Sequence, residues 1–373
     1  MDISLNPVSS APQVELLGID HVEFWVGNAK QAAYYYTHAF GFRVVAYAGP
    51  ETGLADRASY VLRQNDIVLV MTCPLSPDGP IADHVRLHGD GVRDVAFRVR
   101  NLDAAYESLK ARGATVVLSP SSSQDSYGTV RRAAVATYGE TIHTLLERDD
   151  YSGPFLPGYE ARAVHEATPG GLGRIDHVVG NVGWDEMTPW VEHYTKVFGF
   201  HPFVSFDDKD ISTEFTALRS VVVANPAENI KMPINEPAPG KKRSQIEEYI
   251  DFYRGPGVQH LALTTADIAA TVSRLKSWGV EFLTPPATYY DQLQERLEGL
   301  DFQEDIEVLR PLGILVDRDE KGYLLQIFTK PMTDRPTLFF EIIQRKGSDS
   351  FGKGNFKALF EAIEAEQARR GTL

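Results

Sequence analysis

The stretch Arg174-Ile175-Asp176-His177-Val178-Val179-Gly180-Asn181-Val182 decides the fold, because it occurs twice. Near the N-terminus the chain reads Gly18-Ile19-Asp20-His21-Val22-Glu23-Phe24-Trp25-Val26. Each copy has the apolar pattern of a strand. Each is followed by a helical stretch that stops at Phe-Gly-Phe, Phe40-Gly41-Phe42 in one copy and Phe198-Gly199-Phe200 in the other. A second matched pair lies further along: Gly91-Val92-Arg93-Asp94-Val95-Ala96-Phe97 and Gly257-Val258-Gln259-His260-Leu261-Ala262-Leu263, each leading into a helical run and a glycine stop. A third pair closes the halves, with Gly128 nineteen residues before Glu147 and Gly322 nineteen before Glu341.

The chain therefore reads as a duplication. The predicted fold is α+β, with tandem βαβββ modules in two halves and each half a curved mixed sheet, concave and open on one side. The domain reading is 16–150, a Pro- and Gly-rich linker at 151–173, and 174–373. In the second half a helix is expected over 185–198 and strands over 202–206, 212–224 and 228–233. The pattern then predicts a turn-rich exit at Met232-Pro233-Ile234-Asn235-Glu236-Pro237, an acidic helix over 290–300 and a long charged segment over 301–321. Two closing strands, 323–329 and 337–343, precede a Gly-rich loop over 344–352. A last helix, about 353–369, carries Phe356, Leu359, Phe360 and Ile363 on one side and has no counterpart in the first half. It reads either as a lid over the second half's cavity or as a helix docked elsewhere for stability or dimer contact.

Composition bounds the function. With 373 residues, 43% hydrophobic and 24% charged, the chain is of globular type and long enough for two cores. A net charge of −14 argues against nucleic acid or an anionic membrane as a general partner. The single cysteine, Cys73, ends an apolar strand and reads as an ordinary buried thiol. A reducing compartment, the cytoplasm, is expected. The first dozen residues lack the basic and apolar regions of a signal peptide, and no apolar run reaches membrane length. The basic run Lys241-Lys242-Arg243 reads as a solvated turn or helix start, with steering of an anionic substrate as the sharper alternative.

Strand residues able to point inward in the second half are His177, His260 and Glu341. Two imidazoles and one carboxylate on rigid strands match the facial triad of non-haem Fe(II), which leaves three positions for substrate and O2. Zinc or manganese fits the same donors. Any one of these histidines alone reads better as a satisfied core residue. Glu341, however, lies in Leu338-Phe339-Phe340-Glu341-Ile342-Ile343, where a carboxylate is costly to bury without a partner. The matching places in the first half hold His21, Asp94 and Glu147; Arg93 could pair with Asp94.

The motifs Ile175-Asp176-His177-Val178, Pro233-Ile234-Asn235-Glu236-Pro237, Gly257-Val258-Gln259-His260-Leu261-Ala262, Gly322 to Lys330, Phe339-Phe340-Glu341-Ile342-Ile343 and Gly352 to Phe360 together resemble the 4-hydroxyphenylpyruvate dioxygenase family of the vicinal oxygen chelate (glyoxalase-like) superfamily over nearly the whole chain. The resemblance implies one Fe(II) per chain on His177, His260 and Glu341, and a first half whose metal site is lost. It implies polar pocket residues at Ser220, Asn235, Gln245, Gln259 and Gln326. Substrate-ring contacts would be Phe328, Phe339 and Phe356, with Asn355 beside the last, and the final helix would act as a gate. The implied partners are a small aromatic 2-oxo acid and O2, in a homo-oligomer, dimer or tetramer. The implied reaction is conversion of 4-hydroxyphenylpyruvate to homogentisate and CO2 in tyrosine catabolism. Hydroxymandelate synthase, which shares substrate and triad, is the near alternative. A non-enzymatic small-molecule binder and an extradiol ring-cleaving enzyme are the remote ones.

Overall fold

The computed structural model describes residues 14–162, 168–209 and 211–373. Two mixed sheets carry the fold. The first is built from β1 (Leu16–Trp25), β2 (Arg43–Ala48), β3 (Arg57–Gln64), β4 (Ile67–Pro74), β5 (Gly91–Val99), β6 (Val116–Asp125), β7 (Gly128–Ala136), β8 (Ile142–Glu147) and the two-residue β9 (Glu160–Ala161). Its strands run in the order β6-β7-β8-β5-β1-β4-β3-β2-β9. The second contains β10 (Leu172–Asn181), β11 (His201–Phe206), β12 (Ala217–Ala224), β13 (Lys231–Ala238), β14 (Gly257–Thr265), β15 (Leu315–Arg318), β16 (Tyr323–Phe328) and β17 (Phe339–Lys346), in the order β11-β12-β13-β10-β14-β17-β16-β15.

Each sheet is two modules joined at its centre by an antiparallel pair, β1 with β5 and β10 with β14. Register shifts interrupt both pairs at matching places, between Ile19 and His21 in one and between Ile175 and His177 in the other. Such bulges bend a strand and re-aim its side chains, so the repeated Asp-His sits where the sheet curves.

The Phe-Gly-Phe motif is a helix stop. Asn28 caps the helix Ala29–Phe40 through the amide of Gln31, and Gly41 ends it at φ 75°, with its N–H donated back to Thr37 and Tyr36. Gly199 does the same at φ 73°. A left-handed residue costs an L side chain about 1–2 kcal/mol, which glycine avoids. At Gly41 a Cβ would also meet the Gly170 backbone at 2.4 Å. The flanking phenylalanines, Phe40, Phe42, Phe198 and Phe200, are buried in the core, each contributing roughly 1.5–3 kcal/mol by burial.

Several local expectations need correction. The expected helix 185–198 is α-helical only over Met187–His193 and passes into a π turn, Tyr194–Phe198. The strand expected over 212–224 starts at Ala217, Ser212 contributing only an isolated bridge to Ala217. The segment read as a turn-rich exit is β13 itself, despite Pro233 and Pro237. Asn235 turns its carbonyl toward β10, where Val182 N–H donates to it at 2.9 Å. Alternate residues face the same neighbour, so the prolines' missing N–H groups also fall on the β10 side. Pairing with β10 spans only Gly180–Ile234 and Asn181–Asn235, whereas all eight residues of β13 pair with β12. The acidic helix of 290–300 is replaced by two short turns, Thr288–Asp291 and Leu293–Arg296. Tyr289 and Tyr290 anchor the first by donating hydroxyls to the carbonyls of Val316 (2.9 Å) and Ile314 (3.0 Å). The charged segment 301–321 contains a helix, Ile306–Leu312, and β15. The final strand runs on to Lys346, into the expected loop.

The C-terminal helix spans Phe356–Arg370. Its Phe356, Leu359, Phe360 and Ile363 form one wall of the cavity that opens on the second sheet. Of the two readings given above, this position is the lid. Two ties hold the helix there. Glu364 accepts from Thr216 Oγ1 at 2.6 Å and from Thr213, and Arg370 pairs with buried Glu248 at 2.8 Å.

Candidate metal centre

Three adjacent strands bring the three donors together. His177 of β10 lies opposite Ala262 of β14, and Ala262 lies opposite Glu341 of β17. Directly opposed residues point to one face, so His177, Ala262 and Glu341 form one row. His260, two residues before Ala262, shares that face. The small side chain in the middle of the row leaves room for an ion.

Nε2 of His177 lies 3.1 Å and Nε2 of His260 3.3 Å from the same oxygen of Glu341. All three residues are buried. The outer nitrogens are already engaged: Nδ1 of His177 faces Asp176 at 2.8 Å and Nδ1 of His260 faces Gln259 Oε1 at 2.9 Å. With Nδ1 carrying the proton toward those acceptors, both Nε2 lone pairs converge on the carboxylate. Burial by itself would raise the Glu341 pKa, but the His177 and His260 imidazoles outweigh it and hold it down to about 2. Two imidazoles converging on a buried carboxylate are the donor set of a divalent metal with open coordination positions, so the residues present fit Fe(II).

Around the triad the cavity is lined by Ser220, Asn235, Gln245, Gln259, Phe328, Phe339 and Phe356, together with the lid's apolar residues. Phe339 stacks on the His260 ring at 4.8 Å and 21°, and Phe328 meets Phe339 edge-on at 6.3 Å. Phe356 meets Phe206 edge-on at 5.0 Å.

The first half does not repeat this arrangement among the described residues. Its equivalent row is His21, Ala96 and Thr144, because His21 opposes Ala96 and the β5–β8 register pairs Asp94 with Ile142. Asp94 stands where His260 stands, and it accepts hydrogen bonds from the Thr144 amide (2.9 Å) and hydroxyl. The matching of Glu147 with Glu341 is therefore corrected. Glu147 accepts from the amide of Leu102 at 2.6 Å, as Gln344 accepts from that of Ile268 at 2.9 Å. Those two are the true counterparts. The equal nineteen-residue intervals are a coincidence: the β7–β8 connection is shorter than the β16–β17 connection, and Glu147 ends β8 whereas Glu341 is the third residue of β17. Nor does Arg93 pair with Asp94: it donates to the Glu140 carbonyl and lies over Trp25.

Comparison with known proteins agrees with this geometry. The signature of the Glyoxalase/Bleomycin resistance protein/Dioxygenase superfamily matches residues 18–130 and 174–327, the two halves. The chain is 52% identical to a 4-hydroxyphenylpyruvate dioxygenase of Aspergillus fumigatus, over 95% of this chain and 94% of the relative. It is 51% identical to one of Dictyostelium discoideum, over 95% and 100%. The chain belongs to the 4-hydroxyphenylpyruvate dioxygenase family. Among solved structures, a mutant 4-hydroxymandelate synthase from Streptomyces coelicolor superposes with a TM-score of 0.84 at 34% identity, covering 94% of this chain and 99% of that one.

Of the pocket residues that resemblance to the dioxygenase family implies, two stand apart from the cavity lining. Gln326 is buried on β16 against Gly352, and Asn355 is buried at the start of the lid, where its Oδ1 lies 2.7 Å from the Tyr289 hydroxyl oxygen. Gln326 Nε2 and Asn355 Nδ2 are buried without a hydrogen-bond partner among the described residues. Sequence reasoning missed Phe351, whose ring stands 5.0 Å from that of His177 and helps close the cavity. Its only signal was an aromatic residue inside a glycine- and serine-rich loop.

Proposed function

We infer that this chain is an Fe(II)-dependent dioxygenase that converts 4-hydroxyphenylpyruvate and O2 to homogentisate and CO2, a step of tyrosine catabolism. The observation that carries the reading is the buried His177–His260–Glu341 triad opening into a cavity walled by Phe328, Phe339 and Phe356, in a chain about half identical to dioxygenases of that name over nearly their full length.

Bound Fe(II) would supply chelation of the 2-oxo acid and activation of O2. The chain's own residues do the rest. His177, His260 and Glu341 occupy one side of the ion and leave the other side to substrate. The faces of Phe328, Phe339 and Phe356 take a planar ring. Ser220, Asn235, Gln245 and Gln259 orient the phenol hydroxyl and the carboxylate with neutral donors and acceptors, adding no charge that would compete with the metal. Gln326 and Asn355 act from behind the wall, and their free amide N–H groups support a role in holding ordered water or substrate. The lid's apolar residues exclude bulk water from the reacting atoms.

Further readings accompany this one. Residues 16–150 form a structural domain, 151–173 a linker, and 174–373 the catalytic domain. The repeated sheet and the occupied hydrogen-bond positions of Asp94 support that division. A cytoplasmic location is supported by a lone buried thiol, Cys73. No helix among the described residues is long and apolar enough to cross a membrane. Exposed Val116 and Val117 on the edge strand β6 support a homo-oligomer, dimer or tetramer. The acidic net charge supports no nucleic-acid or membrane partner.

Incubating the Fe(II)-loaded chain with 4-hydroxyphenylpyruvate in oxygenated buffer tests the reading. One CO2 released and one O2 consumed per homogentisate formed is the expected result. Formation of 4-hydroxymandelate would replace the dioxygenase with the synthase, and an absence of CO2 would remove both.

A further inference from the structure

A second cluster of metal-type donors lies outside the cavity, in the first half. The helix Pro80–His88 carries His84 and His88 four residues apart, hence on one face. Facing them is Glu140, in the turn between β7 and β8. One Glu140 oxygen stands 2.8 Å from His84 Nδ1 and 3.4 Å from His88 Nε2. The catalytic triad supplies an internal yardstick, since its two imidazole-to-carboxylate distances are 3.1 and 3.3 Å. Donors about 2.0–2.2 Å from a common ion stand roughly this far apart. We propose that His84, His88 and Glu140 form a second divalent-metal site, of the kind zinc(II) takes with two imidazoles, one carboxylate and water.

Three further features support the site. His88 directs its Nδ1 at the backbone carbonyl of Tyr253, which fixes the tautomer and turns the Nε2 lone pair toward Glu140. Both histidines are almost fully buried, at 1% and 3% exposure, and the Nε2 that His88 turns toward Glu140 has no hydrogen-bond partner among the described residues. Glu140 has a side chain 44% exposed, so the cluster is open to solvent on that side and an ion has a way in. The His84 contact alone would be an ordinary hydrogen bond; a second buried imidazole directed at the same Glu140 oxygen sets the cluster apart. Arg93 is the nearby cation, and it is occupied by the Glu140 carbonyl and the Trp25 ring.

The site also has a structural consequence. The carbonyl that His88 engages ends the helix Gln245–Tyr253, whose first residue, Gln245, lines the substrate cavity. A metal here would tie the first half's helix and its β7–β8 turn to an element of the second half, as a brace remote from the reacting atoms.

Zinc(II) is the probe, because it also enters the catalytic triad and so reports both sites by stoichiometry. Equilibrium dialysis of the full chain should give two zinc ions per chain for the parent, one for Glu140→Ala, one for Glu341→Ala and none for the double variant. In the Glu341→Ala chain, zinc should raise Tm, and adding Glu140→Ala should abolish that rise and weaken residual binding at least a hundredfold. Glu140 is half-exposed, so its replacement tests the site without opening the core, and His88→Gln provides a second variant. One zinc per parent chain, or a second zinc that survives both Glu140→Ala and His88→Gln, would overturn the proposal.

Discussion

Arg345 grips Asp176 from two nitrogens, with Nε 3.0 Å from Oδ1 and Nη2 2.8 Å from Oδ2. The same Oδ2 faces His177 Nδ1 at 2.8 Å. Burial alone would raise the Asp176 pKa; the hydrogen bonds from His177 and Arg345 outweigh it and keep the carboxyl ionised far below the usual range. An anion locked behind a metal-facing imidazole fixes its tautomer and makes its Nε2 a stronger donor. The first half keeps a looser version, with Arg148 3.4 Å from Asp20 and Asp20 2.9 Å from His21, although its metal row is gone.

Asp176→Asn should therefore weaken Fe(II) binding about 10–100-fold while leaving the fold in place. Metal titration followed by activity at saturating Fe(II) checks this. Activity that recovers with added metal is the expected signature, and unchanged affinity would show that the Asp176 contact is only packing.

Glu341→Gln should abolish retention of Fe(II) through dialysis and reduce turnover at least a thousandfold. The amide cannot supply the negative charge that balances the ion, although it is nearly the same size. The metal-free variant should melt below the parent at neutral pH, since the His177 and His260 partners hold the Glu341 carboxyl down to about 2 and removing one member of a buried pair leaves the others uncompensated. Full turnover in Glu341→Gln would remove this residue from the metal centre.

How far these sites were legible follows from the kind of signal each left. The duplicated Asp-His stretch, the Phe-Gly-Phe stops and the isolated Glu341 are local patterns, so strands, helix ends and the triad could be read directly. Glu147 was misplaced because spacing along a chain does not record how length is shared between a strand and its connection. Only the register, which sets Thr144 in the row of His21 and Ala96, resolves it. Pro233 and Pro237 concealed β13 for a related reason: a missing N–H matters only on the side where a ladder needs it. Phe351 became visible only when the chain brought a loop residue against His177.

Asp94→Asn should stabilise the protein above neutral pH. Burial pushes the Asp94 carboxyl up to about 6, against the pull of His21 and the Thr144 hydrogen bonds. An acid with a raised folded pKa holds its proton more tightly in the folded chain. Its contribution to stability is present below the ordinary aspartate range, near pH 4, and is lost as pH rises through about 6. The amide removes the cost of a buried charge, so the variant should gain about 1–3 kcal/mol at pH 8 and little at pH 4. Melting curves across that range check the slope. Metal content should not change, and a loss of bound iron would show that the first half takes part in the metal centre.

Phe356→Ala should separate the lid's two tasks. Phe356 lies at the start of the lid helix, half-buried, and reaches both Phe206 and the cavity. The helix's own anchors lie further along, at Glu364 with Thr213 and Thr216 and at Arg370 with Glu248. Removing the ring should therefore leave the helix docked and iron retained while KM for the aryl 2-oxo acid rises about 10–100-fold, which corresponds to about 1.4–2.8 kcal/mol of ring contact. Glu364→Ala should do the reverse in exchange experiments, speeding amide exchange along Phe356–Arg370 because two threonine hydroxyls lose their acceptor. If Phe356→Ala instead released iron or unfastened the helix without changing KM, the phenylalanine would be a structural wedge and not a wall of the substrate site.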